Sequence, residues 1–238
     1  DDLTDLYVAQ GRVSDLVDAL QSAADRVSQT DERVDLYRRV AQLCREKLGQ
    51  PERAVKALER TLAIQPNNLV VARELLPIYR EQSNWAALMR TLSVLLKAAE
   101  DVDGKLEMID QLREVASDKL ASPQLTFGWS ARAYELRPTD DNLRARLEKA
   151  AIDSDNWDEL TRIFERRIAG EQLNTDSETS GEVAVLAVKR AERDEQLVLL
   201  GKLAAIARDH LSKPDDAQRY FRRIIDIDPT NEGAMSAL

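Results

Sequence analysis

Apolar residues recur along this chain at steps of three to five, the interval that places them on one face of an α-helix, and whole sets of them return 72 residues further on. Val13, Trp85 and Trp157 share one such slot. Leu16, Leu88 and Leu160 share a second, and Leu20, Leu92 and Phe164 a third. Between these sets stand Pro51 and Pro123, each followed 15 residues later by a further proline, Pro66 and Pro138. Pro214 and Pro229 repeat that internal spacing but lie 91 residues beyond the second copy, so 19 residues have been inserted. Periodicity on this scale marks a repeat architecture, in which no single unit buries its apolar face alone. Two kinds of unit alternate, a tryptophan unit and a proline unit, each about 36 residues long.

Each unit carries helical periodicity twice, which predicts a helical hairpin and an all-α fold. In the first helix of the proline units the apolar slots are Leu36, Met108 and Leu199, then Val40, Leu112 and Leu203, then Leu43, Val115 and Ile206, and last Leu48, Leu120 and Leu211. They mark one buried face. The second helix should open on Pro51, Pro123 or Pro214, because a missing N–H costs nothing at the first helical position. It should stop before Gln65-Pro66, Arg137-Pro138 or Asp228-Pro229, since a residue ahead of proline is pushed out of the α region. In the tryptophan units Asn84 and Asn156 stand where they would cap the second helix, with Glu159 completing a capping box after Asn156.

These residues resemble the tetratricopeptide repeat family. Lys47-Leu48-Gly49-Gln50-Pro51-Glu52-Arg53-Ala54, followed by Leu58, Leu62 and Pro66, is similar to one such unit with one extra residue before the turn. Lys119 to Pro138 and His210 to Pro229 are similar to two more. The tryptophan units diverge: Leu16, Leu88 and Leu160 stand where the family has a small residue, and the terminal proline is missing. The resemblance implies a right-handed α–α superhelix, a solenoid of hairpins. Its units would run over about 1–30, 31–66, 67–102, 103–138, 139–171 and 193–229, with a partial unit at 230–238 and the insert at 172–192. It also implies a concave surface, lined by the first helices, that receives a protein or peptide.

Composition narrows the partners. A formal charge of −9 and a pI near 4.9 work against nucleic acid, whose binding depends on clustered cations releasing counterions. No run approaches the roughly 18 apolar residues of a membrane helix, and no signal peptide is present in the segment. Single residues offer no chemistry. His210, the one histidine, aligns with Lys47 and Lys119 at the end of a first helix, where a donor meets the terminal carbonyls. Cys44, the one cysteine, aligns with Ala116 and Ala207 in a small buried slot. The eight glycines are isolated, so no phosphate loop exists, and no ligand-spaced cluster is seen. The expectation is a non-enzyme with no cofactor and no metal site. Trp85 and Trp157 should pack between hairpins. Trp129, aligned with Ala57 and Tyr220, is either a packed spacer or a partly exposed anchor.

Carried over from the family, the inward positions of the first helices would be Asp35, Arg38, Gln42 and Arg45, then Arg73, Pro77 and Arg80, then Glu107, Asp110 and Glu114. Such a groove would change sign along its length, and its arginines would suit an acidic peptide or a chain carboxylate, since arginine holds a carboxylate with two parallel hydrogen bonds. The alternative is that these charges pair with neighbouring helices. The functional expectation is a scaffold or adaptor holding a partner protein. Two other readings stand beside it: the recruiting or regulatory region of a larger enzyme or signalling protein, and an RNA-binding repeat of the pentatricopeptide kind, which the negative charge disfavours. The chain also reads as a piece of a longer array, with Leu3 and Leu238 in the slot of Leu75 and Leu147, and self-association through exposed repeat ends is expected. The insert pairs a polar stretch, Asn174 to Gly181, with an apolar run, Val183 to Val188. Either the flanking helices lengthen around a polar tip, or the apolar run lies on the concave surface beside Val198, Gly201 and Ala205.

Overall fold

The computed structural model describes residues 6–7, 9–170 and 191–238. It is all-helical in that range and divides into two compact units, Asp1–Glu100 and Asp101–Leu238. In the first unit lie α1 (Val13–Arg26), α2 (Thr30–Glu46), α3 (Pro51–Ile64), α4 (Leu69–Glu81) and α5 (Trp85–Ala98). The second contains α6 (Val102–Glu114, closed by a π-helical turn Val115–Lys119), α7 (Pro123–Leu136), α8 (Asp141–Ser154), α9 (Trp157–Ala169), α10 (Arg193–Asp209), α11 (Pro214–Ile227) and the short α12 (Glu232–Ser236). Within each unit every helix packs on the next in sequence.

The helix boundaries fall where the prolines place them. Pro51, Pro123 and Pro214 are the first residues of α3, α7 and α11, and those helices end one residue before Gln65, Arg137 and Asp228. The apolar slots are buried through the middle of each first helix: Val40, Leu112 and Leu203 are at most 2% exposed, and Leu43, Val115 and Ile206 at most 7%. Leu16, Leu88 and Leu160 are equally enclosed. The last slot loosens, with Leu120 exposed beside a half-buried Leu48 and Leu211. Cys44, Ala116 and Ala207 share one closed position, and burial raises the Cys44 thiol above its ordinary range.

Both hairpin turns use a left-handed residue. Gly11, Ser83 and Asp155, 72 apart, have φ of 66°, 53° and 55°, while Gly49, Ala121 and Ser212 have 60°, 45° and 53°. Glycine reaches this conformation freely, whereas serine, aspartate and alanine are held there at a cost of about 1 kcal/mol or more each. The compensation is visible in the backbone. Leu48, Leu120 and Leu211 each donate to the carbonyl five residues back, and Gln50, Ser122 and Lys213 to the carbonyl six back, at 2.8–3.2 Å. Three different sequences thereby close one turn.

Two expectations are corrected. Asn84 caps α5 by accepting from the Ala87 amide at 3.2 Å, but Asn156 makes no cap bond on α9 and donates instead to Ser154 Oγ at 2.8 Å. The capping box fails with it, since Glu159 turns to Arg162 at 3.0 Å. Nor, among the described residues, do α9 and α10 themselves grow toward the insert. The helix before it, α9, ends at Ala169 ahead of a left-handed Gly170, and α10 begins at Arg193, 91 residues after α6 as α6 begins 72 after α2. The insert tip, its apolar run and Leu3 lie outside the described residues.

Candidate binding face

In the first unit α2, α3 and α4 enclose a recess of about 580 Å³. Its floor is apolar, from Ala41 and Leu43 of α2, Ala54 and Leu58 of α3, and Ile78 of α4. Around the floor stand Arg38, Arg39, Arg45 and Lys47 against Asp35, Glu46 and Glu74, four cations facing three carboxylates. Helical spacing assembles this wall, because Asp35, Arg38, Gln42 and Arg45 follow one another at steps of three and four along α2. The volume lies within the range of about 300–1,000 Å³ typical of ligand clefts.

Of the sequence-derived groove residues, the structure brings Asp35, Arg38, Gln42 and Arg45 together here. It does not bring Arg73, Pro77 and Arg80 to the recess; all three are solvent-exposed on α4, and the residues that α4 contributes are Glu74 and Ile78. Neighbouring helical residues are about 100° apart around the axis, so a register error of one carries a side chain off the face. Glu74 lies 3.6 Å from Arg38, and Glu46 lies 3.9 Å from Arg45 while accepting from Gln42 Nε2 at 3.3 Å. Sequence reasoning missed Glu74, although its place four residues before Ile78 in an otherwise apolar interval was a signal.

Glu107, Asp110 and Glu114 lie on α6, in the second unit. Asp110 is committed to intramolecular pairs, at 3.0 Å with Arg146 of α8 and 3.1 Å with Arg113. Glu107 and Glu114 are exposed. The counterparts of Arg38 and Glu74 in the 72-residue repeat are therefore Asp110 and Arg146, the same ion pair with its charges exchanged. At Asp110 the pairing is the one named as the alternative, with a neighbouring helix: the acid there is one member of a strut between consecutive first helices.

The aromatic positions resolve as follows. The Trp157 ring stacks on His210, with centroids 3.7 Å apart and planes 10° from parallel, while Lys213 reaches Asp158 at 3.0 Å. Together these fasten α9 to the turn between α10 and α11. The Trp129 ring is half-buried under the guanidinium of Arg132, 4.8 Å from its centroid. Beside it, burial pushes the Glu135 carboxyl up to about 7 despite the nearby Arg166 and Arg132. Among the described residues no group of three His, Cys, Asp or Glu side chains is placed to hold a metal ion, and no helix is long and apolar enough to cross a membrane. No protein-family model and no curated protein matches the chain.

Proposed function

We propose that this chain is a protein-binding scaffold, a right-handed stack of tetratricopeptide-like hairpins, and that the α2–α4 recess holds an acidic peptide segment of a partner protein. The observation that carries the reading is the recess itself: an apolar floor able to take an aliphatic side chain, ringed by an excess of cations inside a chain whose net charge is −9. Elsewhere acidic residues dominate, so a peptide of alternating aliphatic and acidic residues meets repulsion over most of the protein and attraction here. The hairpin stack supplies rigidity, since helices fix the rim side chains better than loops would.

The test is fluorescence anisotropy with two labelled peptides, one alternating leucine with aspartate and glutamate, the other with those acids replaced by asparagine and glutamine. The acidic peptide binds the unchanged chain, and its affinity falls as salt rises. Gln42→Trp, on an exposed position of the recess wall, fills the hollow and abolishes that binding. Undiminished binding by Gln42→Trp would place the peptide elsewhere and sink the reading.

A further inference from the structure

The repeat supplies its own comparison for the Arg38–Glu74 contact. In the second unit the equivalent strut is closed: Arg146 Nη1 donates to Asp110 Oδ1 at 3.0 Å. Other inter-helix pairs are closed too, Arg53 to Asp18 at 2.6 Å and Lys202 to Glu148 at 2.8 Å. Looser contacts also occur, Arg219–Glu165 at 3.7 Å and Arg166–Glu135 at 3.8 Å, and the two carboxylates facing arginines over the recess belong to this looser group, Glu74 at 3.6 Å and Glu46 at 3.9 Å. At those distances charge attraction operates, but neither fork of donors is hydrogen-bonded to its carboxylate. Arg38 and Glu74 also keep 41% and 33% of their side-chain surface. Such a pair separates cheaply, because each partner returns to water.

Taking the recess as the peptide site, as above, we propose that Glu74 is a built-in competitor, holding Arg38 loosely in the place where an acidic side chain of the bound segment pairs with it. An incoming carboxylate exchanges one ion pair for a better one, with two parallel hydrogen bonds to the guanidinium in place of a 3.6 Å contact. A neutral segment cannot make that exchange. It would bind over an Arg38–Glu74 pair left in place, so the competitor lowers the affinity for acidic segments, leaves that for neutral ones unchanged, and sets how strong an acidic segment must be to displace it.

Glu74→Gln should tighten binding of the acidic peptide about two- to fivefold, the equivalent of one exposed ion pair, and leave the neutral peptide unchanged. Removing any carboxylate from the rim also strengthens its general field. Asp35→Asn provides the control, since Asp35 lines the same recess yet makes no ion pair with Arg38. The gain from Glu74→Gln must exceed that from Asp35→Asn, must persist at about 0.5 M salt, where long-range attraction is screened, and must vanish when Arg38→Gln is also present. Glu74→Asp, with a shorter arm, should give a smaller gain in the same direction and serves if the amide variant folds poorly. Equal gains from Glu74→Gln and Asp35→Asn, or no gain, would overturn the inference. If Gln42→Trp abolishes binding while Glu74→Gln changes nothing, the recess stands and only the competitor falls; if Gln42→Trp changes nothing, both fall.

Discussion

The insert separates α9 from α10, and one buried ion pair joins them across it. Arg167 Nε and Nη2 donate to Glu195 Oε1 and Oε2, both at 2.7 Å, with the two side chains 6% and 13% exposed. Just outside the pair the Ala191 amide donates to the Arg167 carbonyl at 3.3 Å. The Tyr134 hydroxyl, buried and without a hydrogen-bond partner, is pushed well above its ordinary range, by burial first and then by the Glu195 charge. A site this enclosed cannot tolerate a lone charge. Glu195→Gln takes this carboxylate from the guanidinium, and breaking a buried pair from one side costs about 3–5 kcal/mol. For a chain of this size that lowers the unfolding midpoint by roughly 6–20 °C. The double change Arg167→Met with Glu195→Leu removes both charges and should recover to within about 1 kcal/mol of the parent, because two desolvated ions are exchanged for apolar packing. Urea denaturation followed by far-ultraviolet circular dichroism, run on the parent, Arg167→Met, Glu195→Leu and the double variant, with Glu195→Gln alongside, measures the coupling directly. A loss below about 1 kcal/mol for Glu195→Gln, or a double variant as damaged as the sum of its parts, would show that the pair is not the fastener.

Glu135 gives a pH signature: its carboxyl is pushed from 4.5 to about 7, so the folded chain favours the protonated form, and the stability this supplies is present below pH 4.5 and lost as pH rises through about 7. Glu135→Gln should therefore gain on the parent across that window by up to about 3 kcal/mol, seen as diverging urea midpoints, and parallel pH profiles would refute it. The two asparagines of the tryptophan units separate by their bonds: Asn84→Ala should cost about 1 kcal/mol as a lost cap, and Asn156→Ala about half that or less, since the Ser154 contact is all it makes. Equal losses in thermal melts would contradict the assignment.

Helices and their limits were legible because their causes are local. A proline at the first helical position and another after the last act through the backbone of the residues beside them, and an apolar stripe at steps of three to five needs no partner to be recognised. The left-handed turns were hidden because each slot has glycine only in its first copy, at Gly11 and Gly49; Ser83, Asp155, Ala121 and Ser212 adopt the same conformation under packing that composition does not display. Asn84 and Asn156 show the same limit from the other side, since identical residues in equivalent places diverge when a neighbouring serine offers Asn156 another acceptor.

The candidate face was half legible, for a physical reason that the ion pairs expose. A charge on a first helix can face a ligand or brace the next first helix, and a single position does not distinguish these. Two positions together do. Arg38 with Glu74 and Asp110 with Arg146 occupy equivalent slots with both signs reversed, and a coupled reversal conserves the attraction between helices while altering what a ligand would meet. The sign at Arg38 alone is therefore no measure of the groove. With that pair set aside as internally neutral, and Arg45 with Glu46 likewise, Arg39 and Lys47 line the recess beside Asp35, and Arg39 has a partner of its own. The looseness of the Arg38 contact over the apolar floor is therefore the feature that the proposed acidic segment would exploit.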